Sequence, residues 1–205
     1  MKIKLLDLFK RDTKFNKKEG VIYNGVYNDY AEKTDRFINL SVTAKMAATI
    51  MSGYVYGKGF EGGDDINVFK ETSLNLFTQH VSKCIVKQRG TFVHVNWNAN
   101  FTISDFRVLP YYTCRKGKKD DKKYNGKILV SEDWHTKKLL DRDVTAIDVF
   151  NPDRAVIQAQ VNEIKADSGE AQWRAYKGQI WYFNPDVDYE YALSRIDAVE
   201  NDCDS

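Results

Sequence analysis

Cysteine, proline and histidine are all scarce in this sequence, with three of each in 205 residues. The cysteines, Cys84, Cys114 and Cys203, are odd in number and far apart, so a disulfide framework is not expected and reduced thiols inside a cell are the simpler reading. So few prolines, beside a hydrophobic content of 42%, exclude a disordered tail and leave enough apolar side chain for a core. Charge of one sign is also missing. Lys plus Arg number 31 against 29 Asp plus Glu, and a net charge of +2 gives no global footprint for gripping a polyanion. There is no long apolar run. Ala44 to Tyr56 is interrupted by Lys45, Ser52 and Gly53 and falls short of the roughly 20 residues a bilayer span requires. Residues 1–11 alternate lysines with Ile3, Leu5, Leu6, Leu8 and Phe9 but hold no continuous apolar segment or small-residue cleavage site, so secretion is not expected.

Aromatic side chains and periodic patterning are what the sequence does have. Aromatics make up 13%, which suits half-buried strands and protein interfaces. A length of 205 residues fits one domain, or one domain plus a small extension. Ile38, Val42, Met46, Ala47, Ile50, Met51 and Tyr54 recur at three- and four-residue steps behind a cap at Thr34 or Asp35, which predicts one amphipathic helix. It runs into a turn-rich loop at Gly53, Gly57, Gly59, Gly62 and Gly63. Ile66, Phe69, Leu74, Phe77, Val81 and Ile85 predict a second helix behind Asp64 and Asp65, closed by Gly90.

From Thr91 the period changes to two, with Val93, Val95 and Trp97 on one side and Phe92, His94 and Asn96 on the other, the mark of a strand. A turn at Asn98-Ala99-Asn100, a strand from Phe101 to Val108 and an extended run from Tyr111 to Cys114 predict an antiparallel meander. Arg115 to Gly126 reads as a solvated loop, and Lys127 to Trp134 and Val144 to Phe150 as further strands. Asn151-Pro152 predicts a helix start with Val156, Ile157, Val161 and Ile164 facing inward. Residues 173–176 and 180–183 predict a hairpin about Lys177-Gly178, and Leu193, Ile196 and Val199 the start of one more helix from Tyr191. That helix has no terminator before Ser205, which suggests truncation from something longer. The fold class expected is α+β: N-terminal helices followed by a mainly antiparallel sheet with a further helix.

Few residues suggest chemistry. Gly57-Lys58-Gly59 lacks the spacing of a phosphate loop and has Gly59 where a magnesium-binding hydroxyl is required, so a plain connection is the better reading. His80 and Cys84 stand one helical turn apart, with Cys114 as a third candidate zinc ligand, but a buried helix histidine beside an inert buried thiol is the better reading. Asp141 and Asp143, and Asp120 with Asp121, are acidic pairs of the kind usually found on solvated surface. With no H-E-x-x-H, no G-x-S-x-G and no paired-cysteine spacing, no catalytic residue, metal ligand or cofactor is assigned, and a non-enzymatic role is expected. Lys116, Lys118, Lys119, Lys122 and Lys123, with Arg115, form the strongest local positive cluster and are the candidates for sequence-independent contact with DNA phosphates. Asp120 and Asp121 dilute it, and an exposed tip kept soluble by charge is the favoured alternative.

Several segments, taken in order, resemble the portal proteins of tailed bacteriophages, especially those of phages infecting Bacteroides-like hosts. Asp35-Arg36-Phe37-Ile38-Asn39 leading to Gly53-Tyr54-Val55-Tyr56-Gly57-Lys58-Gly59 is similar to the family's early helix and its aromatic-Gly-Lys turn. Ile66 to Gly90 followed by Thr91-Phe92-Val93-His94-Val95 resembles the helix and first strand of the portal wing, and Val108-Leu109-Pro110 a strand ending in a Leu-Pro step. Tyr176-Lys177-Gly178-Gln179-Ile180 and Tyr191-Ala192-Leu193-Ser194-Arg195-Ile196-Asp197 resemble a paired signature of the Bacteroides type, with Ala192 where that family usually has proline.

The resemblance spans about residues 35 to 202 and, in the family, only the first part of a longer subunit. It implies an N-terminal extension over 1–34, a wing-like domain over 35–190 and the start of a helical continuation over 191–205. It also implies a ring of identical subunits, typically twelvefold, at one capsid vertex of the virion, assembled in the bacterial cytoplasm from a phage or prophage gene. Its partners would be the terminase large subunit, capsid, scaffold and head-completion proteins, and double-stranded DNA passing without specific contact. A near-neutral charge suits a channel in which DNA must slide. Two alternatives remain open: a phage or mobile-element metal-dependent nuclease using Asp141, Asp143 and a histidine, and a nucleic-acid-binding module using the 115–123 loop. Neither reading names the residues of an oligomer interface.

Overall fold

The computed structural model describes residues 18–135 and 139–195. They form an α+β fold: helices α1 (Tyr30–Leu40), α2 (Val42–Tyr56) and α3 (Leu74–Gln88) stand before most of a seven-stranded, largely antiparallel sheet. The sheet order is β1 (Val21–Ile22), β6 (Cys114–Gly117), β7 (Lys127–Val130), β8 (Thr145–Val149), β9 (Gln179–Phe183), β4 (Thr91–Trp97) and β5 (Ile103–Leu109). A small hairpin, β2 (Asn67–Phe69) and β3 (Thr72–Ser73), precedes α3, and α4 (Arg154–Asn162) and α5 (Gly169–Ala175) fill the crossover between β8 and β9. No helix among the described residues is long and apolar enough to cross a membrane.

The expected strand at Thr91 is central. It pairs antiparallel with β5 on one side and β9 on the other, and its first five residues are all buried. Phe92 stacks on Tyr182 at 4.2 Å between ring centroids, and the Tyr182 and Tyr111 hydroxyls lie 2.9 Å apart. Burial raises the Tyr111 phenol far above its ordinary value. His94, buried on the same strand, has its Nε2 2.6 Å from the Lys177 carbonyl oxygen, and burial lowers its pKa so that it stays neutral.

Several expected elements are placed differently. The one early helix is two, because Ser41 leaves helical geometry (ψ 118°), its N–H donates to Phe37 and its hydroxyl accepts from Ala44 N. Thr34, expected as a cap, is buried within α1. The second helix starts at Leu74 rather than near Ile66. Lys70 turns at φ 48°, residues 67–73 pair as a hairpin, and the Ser73 hydroxyl accepts from Leu76 N. It ends with Arg89 in the left-handed region, one residue before Gly90.

Tyr111 to Thr113 is a 3-10 turn rather than extended chain, and Arg115 to Gly117 belongs to β6 rather than to a loop. Asp153, not Asn151, caps α4. Residues 173–175 close α5, so no hairpin precedes β9, which runs parallel to β8. A parallel neighbour needs a crossover, and α4 and α5 provide it. Gly178 enters β9 at φ +71°, where a Cβ would lie 2.3 Å from the Val95 carbonyl oxygen, so only glycine fits.

Part of the segment expected as an extension is built into the core. Val21 and Ile22 pair with Gly117 and Lys116, and the buried Asn28 meets Arg115. Tyr191, from the expected C-terminal continuation, is buried and non-helical; its hydroxyl donates to Ile22 O and accepts from Lys116 N. The start of that helix at Ile196 and Val199 lies outside the described residues, as do residues 1–17 and Cys203.

Candidate functional site

The basic segment is dispersed by the fold. Arg115 is fully buried, and only Lys118, Lys119 and Lys122 of the five candidate lysines point outward without an ion pair among the described residues. The Lys116 ammonium pairs with Glu190 and sits over the Tyr182 ring at 5.9 Å. Lys123 binds Asp141 at 2.5 Å. Asp121 serves the turn itself, its carboxylate accepting from Lys123 N and Tyr124 N at 2.8 Å each. Strand alternation is the reason Arg115 and Lys116 part company: neighbouring residues on β6 face opposite sides.

The acidic candidates are engaged in holding loops together. Asp141 accepts from Lys18 at 2.9 Å and from the Tyr124 hydroxyl at 3.0 Å in addition to Lys123, and these contacts hold its carboxyl well below the usual carboxylate range. Asp143 accepts from Leu140 N at 2.9 Å, while His135 lies 3.1 Å from Glu32. His80, expected to be buried, is exposed on α3, whereas Cys114 is fully buried. Among the described residues no group of three or more His, Cys, Asp or Glu is placed to hold a metal ion. Gly57-Lys58-Gly59 forms a turn locked from α3, where the Asn75 amide accepts from Phe60 N at 2.8 Å and donates to Phe60 O at 3.2 Å.

Burial pushes Cys84 up to about 11 and Cys114 up to about 12. At pH 8 only about one Cys84 thiol in a thousand is then the reactive thiolate, and fewer of Cys114. Iodoacetamide at that pH is therefore expected to leave both unmodified in the folded protein and to alkylate both in denaturant, read by peptide mass spectrometry. Rapid native labelling of Cys114 would contradict this packing.

The most conspicuous surface is one the sequence reading had turned inward. On α2 only Ser52 is buried, while Val42, Met46, Ile50 and Tyr54 are 77%, 62%, 53% and 83% exposed. Their four-residue spacing puts them on one outer face. Val55 and, beyond the helix, Phe60 extend the exposed apolar surface. A second exposed pair, Val187 (91%) and Tyr189 (56%), sits in the acidic run Asp186-Val187-Asp188-Tyr189-Glu190. Asp186 and Glu190 are paired with Arg89 and Lys116, and Asp188 has no ion pair among the described residues.

No family model and no curated protein matches this chain. Among solved structures it is similar to a chain in the neck of an empty GTA particle computed with C6 symmetry, at a TM-score of 0.43 and 7% identity. The overlap covers 72% of this chain and about half, 49%, of the neck chain.

Proposed function

We propose that this chain is the wing portion of a tailed-phage portal subunit, a structural protein that assembles with copies of itself into the ring at a capsid vertex. The observation that carries the reading is the bare apolar face of α2, because a folded monomer rarely turns a row of four large apolar side chains to water unless they form an interface. The ordered resemblance of residues 35 to 202 to portal wings supports it. A second copy is the occupant that fits, since the chain carries a second, different apolar patch at Val187 and Tyr189. Lys58 follows the α2 face in the chain, and acids border the other patch. Two unlike, complementary patches make a head-to-tail contact, which closes into a ring when the rotation permits.

On this reading the chain performs no catalysis. The terminase, the capsid and head-completion proteins, and the passing DNA are its partners through the assembled ring. Electron microscopy of the protein purified at its native length tests the proposal. Rings with a central pore are expected, and monodisperse monomers at micromolar concentration would reject it.

A further inference from the structure

Between helices α2 and α3 lies a cleft of about 350 Å³. Its floor is made of small residues, Ala48, Ser52 and Gly53, and a Cβ on Gly53 would meet nothing within 4 Å. Three lysines from two different helices line it: Lys45 from α2, Lys83 and Lys87 from α3. No carboxylate lines the cleft. Lys87 is shared with Asp35 at 3.4 Å, but Lys45 and Lys83 have no ion pair among the described residues. The hydroxyls of Thr49 and Ser52 donate to carbonyls of their own helix, at 2.8 and 2.6 Å, so the charge of the site comes from the ammonium groups.

Cations converging on a half-enclosed space attract an anion more strongly than the same number spread on a convex tip, because low-dielectric walls focus the field. The comparison is available within this protein. Lys118, Lys119 and Lys122 are exposed on a loop beside Asp120 and Asp121, whereas Lys45 and Lys83 line one cleft that has no carboxylate in its lining. Lysine suits phosphate, since its compact ammonium supplies a point charge and three donors without requiring a planar fork. The cleft has room for a phosphate and its substituent, and its apolar remainder, with Ile38 at one end, suits a ligand that is charged at one part only.

We infer that the α2–α3 cleft is a phosphate-binding site in which Lys45 and Lys83 hold the phosphate oxygens. The shared chemistry has two sources, a small phosphorylated molecule or a phosphodiester of nucleic acid, and both can be probed on the intact chain. Inorganic tripolyphosphate titrated into isotope-labelled protein is expected to shift amide resonances over residues 45–56 and 79–87, with an affinity that falls as salt rises. Lys83→Gln is expected to weaken binding at least about tenfold, since a charged hydrogen-bond partner is removed, while the thermal melt stays that of the wild type. A triple Lys118→Gln, Lys119→Gln, Lys122→Gln variant is expected to bind as the wild type does. Displacement of tripolyphosphate by a short DNA strand identifies nucleic acid as the source, and failure of DNA to compete identifies a small phosphorylated ligand. The inference is overturned if tripolyphosphate does not bind, if the shifts fall on residues 118–123, or if Lys83→Gln binds unchanged.

Discussion

Arg115→Ala is expected to cost about 3–5 kcal/mol of folding stability, a large part of the margin of an ordinary domain. The guanidinium is fully buried, and no carboxylate neutralises it in direct contact. Its Nε donates to the Asn28 side-chain oxygen, one Nη to the carbonyls of Tyr112 and Cys114 at 2.8 Å each, and the other to the Asn28 carbonyl at 2.7 Å. Its flat face lies over Trp134 at 5.3 Å. One side chain thereby ties the segment before α1 to the turn before β6 and to the core cluster in which Trp134 packs with Val21, Tyr124, Leu129 and Val144.

Alanine would leave a cavity and strand several buried acceptors at once, and each unsatisfied acceptor costs about 1–3 kcal/mol. Lysine keeps the charge but not the fork, so Arg115→Lys is expected to recover only part of the loss. Urea denaturation followed by tryptophan fluorescence measures both, with Lys118→Ala as an exposed control expected to change the midpoint little. An Arg115→Ala midpoint equal to the wild type would show that the buried fork does not hold these segments together.

Replacing Met46 by glutamate and Tyr54 by alanine on α2 is expected to weaken ring formation by about a hundredfold or more, because central apolar and aromatic anchors each contribute about 2 kcal/mol or more at interfaces. Both side chains are already mostly in water within the single chain, so the melting temperature should stay within about 2 °C of the wild type. Mass photometry reads the first quantity and differential scanning fluorimetry the second. Val187→Asp on the second patch is expected to give the same loss. Combining it with the α2 changes should add less than the sum if the two patches meet each other. Rings that persist through all three substitutions would separate the α2 face from assembly.

How far the sequence could be read depends on which physical signal each segment carries. The strand from Thr91 to Trp97, the turn at Asn98 and the strand after it were legible because period-two alternation and turn residues are local properties. The short hairpin over residues 67–73 was hidden because Ile66, Phe69 and Leu74 happen to match a helical step, and only pairing across the turn at Lys70 reveals strands. The basic run was legible as charge, but its division was not. Lys118, Lys119 and Lys122 remain in solvent, while Arg115 disappears into the core because β6 pairs with Val21 and Ile22 and its arginine reaches the backbone of Asn28. The phosphate cleft had no sequence signature, since Lys45 and Lys83 are joined only by the packing of α2 against α3.

Composition and periodicity alone determined the α+β class, most of the strands and the apolar stripe of α2. Those follow from interactions between residues close along the chain, whose energies do not depend on the rest of the fold. Tertiary structure decided which side of α2 meets water, where the parallel pair of β8 and β9 sits, and that an arginine rather than an apolar residue locks the N-terminal segment. These are set by contacts between distant residues. Their energy is realised only when desolvation, hydrogen bonding and packing are satisfied together in three dimensions.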